Sequence, residues 1–278
     1  MELEDTRQWV GRTELGRDVA TASVLARLAA TLDHEEPPWV RDVLPPLGHW
    51  LFFQTQTTQS GIGVDGHPRR GGFLPPIELP RRMWAAGGLT FHLPIPVGVP
   101  LTRRSSIAEV TPKTGKSGRL VFVKVRHVIS TPGGPAVTEV QEIVYRDKAA
   151  AHTAAQAPEE MPANPAWSRT IIPDPVLLFR YSALTFNAHR IHYDRPYATE
   201  TEGYPGLVVH GPLTATLLVD LFLRHNPQAT VTAFRFRARR PLFDGRRLTL
   251  CGAPRASGAD LWAVDDGGEV AMTAEIET

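Results

Sequence analysis

A Leu-rich segment, opened by His210-Gly211-Pro212 and closed by Pro227, is followed by extended stretches separated only by turns. Leu213, Leu217, Leu218 and Leu221 recur at helical spacing, which predicts an amphipathic helix from Pro212 to about Arg224. Thr230–Arg239, Arg247–Ala256, Asp260–Asp265 and Glu269–Glu277 then read as strands, and Asp265-Asp266-Gly267-Gly268 is a hairpin turn between the last two. An apolar helix and long antiparallel strands must bury each other's apolar faces, so a sheet wrapped round the helix is the expected solution.

The first half of the chain offers a fainter copy of this order. Asp18 stands where it can cap a helix over Val19–Leu32, and a long irregular region follows to about Gly88. Strands are expected over Leu89–Leu93, Thr102–Val110, Leu120–Ser130 and Val137–Tyr145. The third alternates clearly, with Val121, Val123 and Val125 on one face and Phe122, Lys124 and Arg126 on the other. Between Lys148 and Pro165, a stretch rich in Ala, Pro, Glu and His carries Pro158, Pro162 and Pro165, which break any pattern and mark a linker. The expected division is 1–148, a linker over 149–166, and 167–278, two copies of one unit forming a fused pseudo-dimer.

Composition narrows the functional classes. Thirty basic against 29 acidic residues leave no global field to draw the chain to nucleic acid or to a charged membrane. Cys251 stands alone, which excludes an internal disulfide framework or a thiolate zinc cluster and fits a reducing cytoplasm. The N-terminal Met-Glu-Leu-Glu-Asp-Thr-Arg lacks an apolar signal core, and Leu213–Leu223 is too short, and too interrupted by Asp220, to span a bilayer. A soluble cytoplasmic protein is the expectation.

The chemistry gathers between Tyr181 and Asp194, where Asn187, His189, His192 and Asp194 fall within eight residues. His192 suits a general acid/base because an imidazole titrates nearest neutrality, while Asn187 can hold a water or a carbonyl but cannot take a proton. An isolated histidine more often bonds a backbone carbonyl; a cluster of this density favours function. His189, His192 and Asp194 also make a two-imidazole, one-carboxylate set, but the histidine spacing is i, i+3 rather than the i, i+4 of zinc-binding helices, which places metal second. The first turn of the Leu-rich helix presents backbone N–H groups and a positive dipole end, and Gly211 lets a substrate approach closely.

Elsewhere, Arg235, Arg237 and Arg239 share one strand face, suited to phosphate groups or simply to solvent. Arg81 and Arg82, with Arg69 and Arg70, supply cations in the first half for a substrate carboxylate or for surface charge. Thr114-Gly115-Lys116-Ser117 lacks the upstream glycine of a phosphate-binding loop, Val110 standing in its place, and reads as a hairpin loop. No G-x-S-x-G nucleophile elbow occurs.

Thr185–His192 resembles the S-G-D-x-N-P-x-H motif of MaoC-like (R)-specific enoyl-CoA hydratases, and Gly203-Tyr204-Pro205-Gly206-Leu207-Val208-Val209-His210-Gly211 is similar to the segment opening their central helix. Phe186–Asp194 is most similar to the subgroup of mesaconyl-C4-CoA and itaconyl-CoA hydratases and mitochondrial 3-hydroxyacyl-thioester dehydratases, as are Gly66–Pro76 and Arg81–Ala85. The resemblance implies an α+β double hotdog, with antiparallel sheets wrapped round central helices, a catalytic second half and a degenerate first half. It puts the family's catalytic His on His192 and its catalytic Asp on Asn187, so the usual carboxylate is missing; His189 and Arg190 replace the family's Asn and Pro.

The reaction implied by this resemblance is reversible hydration of a 2-enoyl-CoA, preferentially a short branched dicarboxylyl-CoA such as mesaconyl-C4-CoA or itaconyl-CoA. The alternatives are a medium- or long-chain 3-hydroxyacyl-thioester dehydratase and a hotdog acyl-CoA thioesterase. In this reading Asn187 and His192 are catalytic, the Gly211 N–H holds the thioester oxygen, and His189, Tyr193 and Asp194 support them. Arg81, Arg82, Arg235 and Arg237 are the substrate-binding candidates. No metal or redox cofactor is expected, coenzyme A entering as part of the substrate; no partner is expected beyond that acyl-CoA, and a homodimer is allowed.

Overall fold

The computed structural model describes residues 8–115, 118–147 and 164–278. Among them are ten strands: β1 (Thr13–Val19), β2 (Arg81–Phe91), β3 (Pro100–Gly115), β4 (Gly118–Thr131), β5 (Gly134–Arg146), β6 (Trp167–Ile171), β7 (Ala233–Ala238), β8 (Leu248–Arg255), β9 (Gly258–Val264) and β10 (Val270–Glu277). Three α-helices accompany them, α1 (Ala22–Thr31), α2 (Pro175–Thr185) and α3 (Gly211–His225). No helix among the described residues is long and apolar enough to cross a membrane.

All ten strands form one antiparallel sheet in the order β1-β3-β4-β5-β2-β7-β10-β9-β8-β6. Read outward from the centre, both halves give the same succession: second strand, fifth, fourth, third, first. The duplication suspected from the sequence is thus a duplication of topology, and β2 paired with β7 is the seam between the copies, with Gly87 opposite Phe236. A Cβ at Gly87 would overlap the Phe236 ring, so only glycine lets the two strands carry that aromatic across the join. Trp50 and Trp84 pack edge-on against the same ring at centroid distances of 6.0 and 5.5 Å.

The helices are not duplicated. α3 packs on β6, β8, β9 and β10, and every residue from Leu213 to Leu223 is buried. Each such leucine contributes about 1.5–3 kcal/mol through apolar burial. Among the described residues the first half has no equivalent: α1 occupies the position of α2, directly after the first strand of its half, and packs against α2. The expectation of a central helix in each half is therefore corrected to one, α3. The inner face of the first-half sheet is covered instead by the chain around Ile77 and Leu79, which meets Ile107, Val110, Val121, Val123, Val125 and Tyr145.

Two strands escaped the sequence reading. β1 is mostly exposed and β6 is short; both are edge strands with weak apolar alternation. β1 also moves the start of α1: Asp18 pairs with Leu101 in the sheet and its carboxylate accepts from the Phe53 N–H at 2.6 Å, while Thr21 takes the cap position. β2 begins at Arg81, inside the region expected to be irregular, because Arg81–Gly88 pairs with β5 across a bulge at Trp84–Ala86. Lys116 and Ser117 of the expected turn, and most of the expected linker, lie outside the described residues, although β3 and β4 pair as far as Gly115 opposite Gly118.

One buried ionic node ties the halves. Asp220 on α3 is 2 % exposed and meets His34 at 2.5 Å, Arg169 of β6 at 3.0 Å and Arg224 at 2.8 Å. Arg224 in turn donates to the Leu32 carbonyl. A carboxylate in an otherwise apolar helix is tolerable only with such partners.

Candidate active site

α2 is capped by Asp174, whose carboxylate accepts from the Leu177 N–H, and ends at Phe186 in the left-handed region (φ 50°). That reversal sends residues 187–189 out of the helix. The Asn187 Oδ1 accepts from the His189 N–H at 3.0 Å, fixing a local turn, before a 3₁₀ turn over Arg190–His192. Asp194 then caps a π-helical turn over Tyr197–Thr201 through the Tyr197 N–H, and also accepts from Arg190 Nε at 2.9 Å and from its terminal nitrogen at 2.8 Å. Its oxygens serve the scaffold.

His192 is buried. Its Nδ1 donates to the Val208 carbonyl at 2.7 Å, leaving the lone pair on Nε2. The carbonyl is itself held in place, since Val208 N–H donates to the Ile191 carbonyl and Leu207 N–H to the Asp244 carboxylate, which Arg195 pairs. The ring stacks on His210, the residue preceding α3, with centroids 3.7 Å apart. His210 Nε2 meets Ser182 Oγ at 2.8 Å, while its buried Nδ1 has no partner among the described residues. Burial lowers the His192 pKa to about 4, the Val208 bond opposing and His67 adding to the effect. Burial likewise holds His210 well below the ordinary imidazole range, with His192 and His189 contributing. Both rings are neutral at physiological pH, which suits a proton acceptor.

A loop of the first half closes on the motif. Arg190 N–H donates to the Asp65 carbonyl at 2.9 Å and its guanidinium to the Val64 carbonyl at 3.0 Å. Gly66 lies at φ 89° directly against the Ala188 carbonyl, where a Cβ would overlap the oxygen. The contact brings the His67 ring to 4.1 Å from His189, which lies 5.4 Å from His192. His67 Nδ1 meets Asp65 Oδ2 at 3.0 Å, and Asp65 Oδ1 accepts from the His67 N–H. Burial works against ionisation of Asp65, but the side-chain and backbone bonds to His67 outweigh it and hold its carboxyl below the usual carboxylate range. Burial lowers His189 to about 2, with His67 and His192 adding to the effect.

Asp65, His67 and His189 offer donor atoms within 4.8 Å of one another, a spacing a cation can use. One oxygen and one ring nitrogen of the set are already joined by a hydrogen bond, and the Arg82 guanidinium acts on both imidazoles. Sequence reading missed Asp65 and His67 as site residues. Gly66-His67-Pro68 stood out for its similarity to known hydratases, yet nothing in the chain says that residues so far from the histidine motif fold onto it.

The profile of the family described as "Hydroxyacyl-thioester dehydratase type 2" matches residues 47–244, a span that takes in both the first-half loop and the motif. The chain belongs to this family. Over its full length it is 45% identical to the mesaconyl-C(4)-CoA hydratase of Chloroflexus aurantiacus, covering 99% of that protein. Its fold matches that of a MaoC-like dehydratase from Phytophthora capsici with a TM-score of 0.72 at 14% identity, covering 100% of this chain and 97% of that one. It also matches a Mycobacterium tuberculosis protein described as a double hotdog, with a TM-score of 0.58 at 15% identity over 99% and 97% of the two chains. The double hotdog is therefore the fold of this dehydratase-family chain.

The remaining residues singled out from the sequence divide by location. Gly211 is the first residue of α3, and no neighbouring element comes within 4 Å of where its Cβ would stand, so the helix start is open to a ligand. Asn187, His189 and His192 come together at the motif; Tyr193 lies at its outer edge, about half exposed, donating to the Ala188 carbonyl. Arg81 donates to the Glu202 carbonyl at 2.6 Å and lies over the Tyr204 ring, whereas Arg82 is directed at the cluster, near enough to His67, His189 and Tyr145 to act on their titration. Arg235 and Arg237 lie away from the cluster, on the outer sheet face, where Arg235 pairs with Glu277 and Arg237 reaches Glu142. A cavity of about 390 Å³ between Trp39, Leu44, Phe91, Ile95 and Val231 shares no lining residue with the motif.

Proposed function

We propose that the chain adds water reversibly across the double bond of a 2-enoyl-CoA, and that its substrate is a short branched dicarboxylyl-CoA of the mesaconyl-C4-CoA type. The observation that carries the reading is His192: a buried neutral imidazole whose Nδ1 is committed to Val208, so that Nε2 is an acceptor beside the open start of α3. Full-length identity of 45% to a mesaconyl-C(4)-CoA hydratase supports it independently.

In this reading the substrate lies across the start of α3 with its thioester oxygen at the Gly211 N–H. The helix dipole and backbone N–H favour the enolate charge that develops there. Asn187 has committed its oxygen to His189, so its amide N–H groups hold the attacking water without taking its proton. His192 Nε2 accepts that proton as the C–O bond forms at the β-carbon. Arg82, rather than Arg81, is the cation available to a distal carboxylate, since Arg81 is engaged by Glu202. Coenzyme A enters as part of the substrate, and no other cofactor takes part.

Hydration of mesaconyl-C4-CoA, monitored as loss of enoyl absorbance alongside a thiol assay, tests the reading. Wild type should hydrate without releasing thiol, and His192→Ala should lose about 10²- to 10⁴-fold in kcat while keeping its circular dichroism spectrum. Near-wild-type turnover by His192→Ala, or thiol release as the main reaction, would sink it.

A further inference from the structure

Hydration needs two proton transfers: one away from the attacking water and one to the α-carbon. His192 accounts for the first. A neutral imidazole whose Nδ1–H is tied to a carbonyl has no proton on Nε2 to give until it has taken the water's, so a second transfer that does not wait on the first needs another group. Asn187, which stands where the resemblance places the family's carboxylate, cannot supply it either.

We propose that the second proton-handling group is His67, held by Asp65 and carried to the site by the first-half loop, so that one half of the chain supplies the base and the other the acid. Four imidazoles meet here: His67, His189, His192 and His210. Among the described residues His67 is the only one of them whose ring nitrogen meets a carboxylate, Asp65 Oδ2 at 3.0 Å. His192 bonds a carbonyl and His210 a hydroxyl. The Asp65 bond fixes His67 with Nδ1 as donor and turns Nε2 to the other side of the ring, and it favours the imidazolium, as the buried carboxylate does in an Asp-His pair. The loop is anchored for this purpose at both ends of the contact, by Asp65 and Val64 carbonyls on Arg190 and by Gly66 on Ala188.

The step balances with no further reactant. The C–O bond forms at the β-carbon as His192 Nε2 takes one proton from water, and the π electrons move to the α-carbon through the thioester enolate. His67 Nε2–H then delivers its proton to that carbon. The enzyme is left with protonated His192 and neutral His67, and a net transfer of one proton from the former to the latter, through solvent or across His189 between them, restores it. Burial is the largest influence on His67 and lowers its pKa overall, with Arg82 and Arg70 adding to the lowering; Asp65 opposes them, so the step draws on the protonated fraction of His67 that this bond sustains. His189 and His192 are each lowered by His67.

The inference rests on the hydratase reading, and the experiment separates the two. kcat and KM for hydration of mesaconyl-C4-CoA are measured across the pH range in which histidines titrate, for wild type, His67→Gln, Asp65→Asn and His192→Ala. His67→Gln should lower kcat by about 10²- to 10⁴-fold with KM nearly unchanged, and the limb of the profile that falls with rising pH should vanish. Asp65→Asn should cost less and move that limb to lower pH, because the imidazolium loses its anion. Turnover of His67→Gln within about twofold of wild type, beside an inactive His192→Ala, would overturn the inference and leave the hydratase reading standing. An active His192→Ala would fell the reading itself. If His67→Gln fails to fold, Asp65→Asn decides: an unmoved limb overturns the proposal. A stoichiometric divalent metal in wild type that is lost with His67→Gln would also overturn it.

Discussion

Gly66 has no room for a side chain: its φ of 89° and the adjacent Ala188 carbonyl exclude a Cβ on two separate grounds. Gly66→Ala should therefore displace the loop from the motif without disturbing the sheet, lowering kcat at least about tenfold while the melting temperature changes little, as enzyme assay and thermal denaturation would show. At this scale the sequence was half legible. His192 and Asn187 stood out because titratable and amide groups crowd one short segment, and the emptiness of position 187 as an acid was visible from the residue type alone. Asp65 and His67 were not legible as partners, since their proximity to His189 is made by tertiary packing of two loops without periodicity. Asp194, in contrast, was conspicuous in sequence and is occupied with Arg190 and the Tyr197 N–H.

α3 announces itself through leucine spacing, yet the residue that locates it in the molecule is the polar one. Asp220 joins the helix to Arg169 on β6 and to His34 beyond α1. Asp220→Ala should destabilise the protein by about 3–5 kcal/mol, because it leaves Arg169 and Arg224 without their carboxylate, and chemical denaturation would measure it. The other long strands were legible from alternation, and the Asp265–Gly268 turn from its residues: Asp265 accepts from the N–H groups of Gly267 and Glu269, and Gly268 takes φ 82°. β1 and β6 were not, since an edge strand with one wet face has little apolar pattern to read. The start of α1 was misplaced for a related reason. Asp18 is a good cap by residue type, but its carboxylate is claimed by Phe53, a partner distant in sequence.

Over the whole molecule, acid sensitivity between neutrality and about pH 5 should come from histidines, since the depressed carboxylates Asp65 and Glu139 titrate only at lower pH. His192 and His127 are both lowered to about 4, chiefly by burial, and His189 to about 2. Below their unfolded pKa of about 6.5 the unfolded chain binds protons that the folded chain refuses, so stability must fall as pH falls. The loss runs from about pH 6.5 down to the folded values, and amounts to a few kcal/mol for each group. Melting temperature measured from neutral pH towards pH 5 should drop steadily; a flat profile over that interval would contradict the buried neutral state of these rings. The paired topology was legible in outline, through two runs of strand-like segments. The absence of a second central helix among the described residues was not, because a helix over Val19–Leu32 is as acceptable locally in either role.

That asymmetry has a consequence for how many reactions the molecule can run. Each half crosses from its first strand to its second by a long connection, one built as α3 and the other as the irregular chain that carries Asp65 and His67. The two crossovers have become complementary parts: one offers a dipole and a helix start, the other a reaching arm. A molecule with two identical crossovers would have two equal mouths and no arm to reach across. In the proposed reaction the doubled architecture yields one chemical centre, assembled from unlike contributions of the two halves, which meet along the seam between β2 and β7.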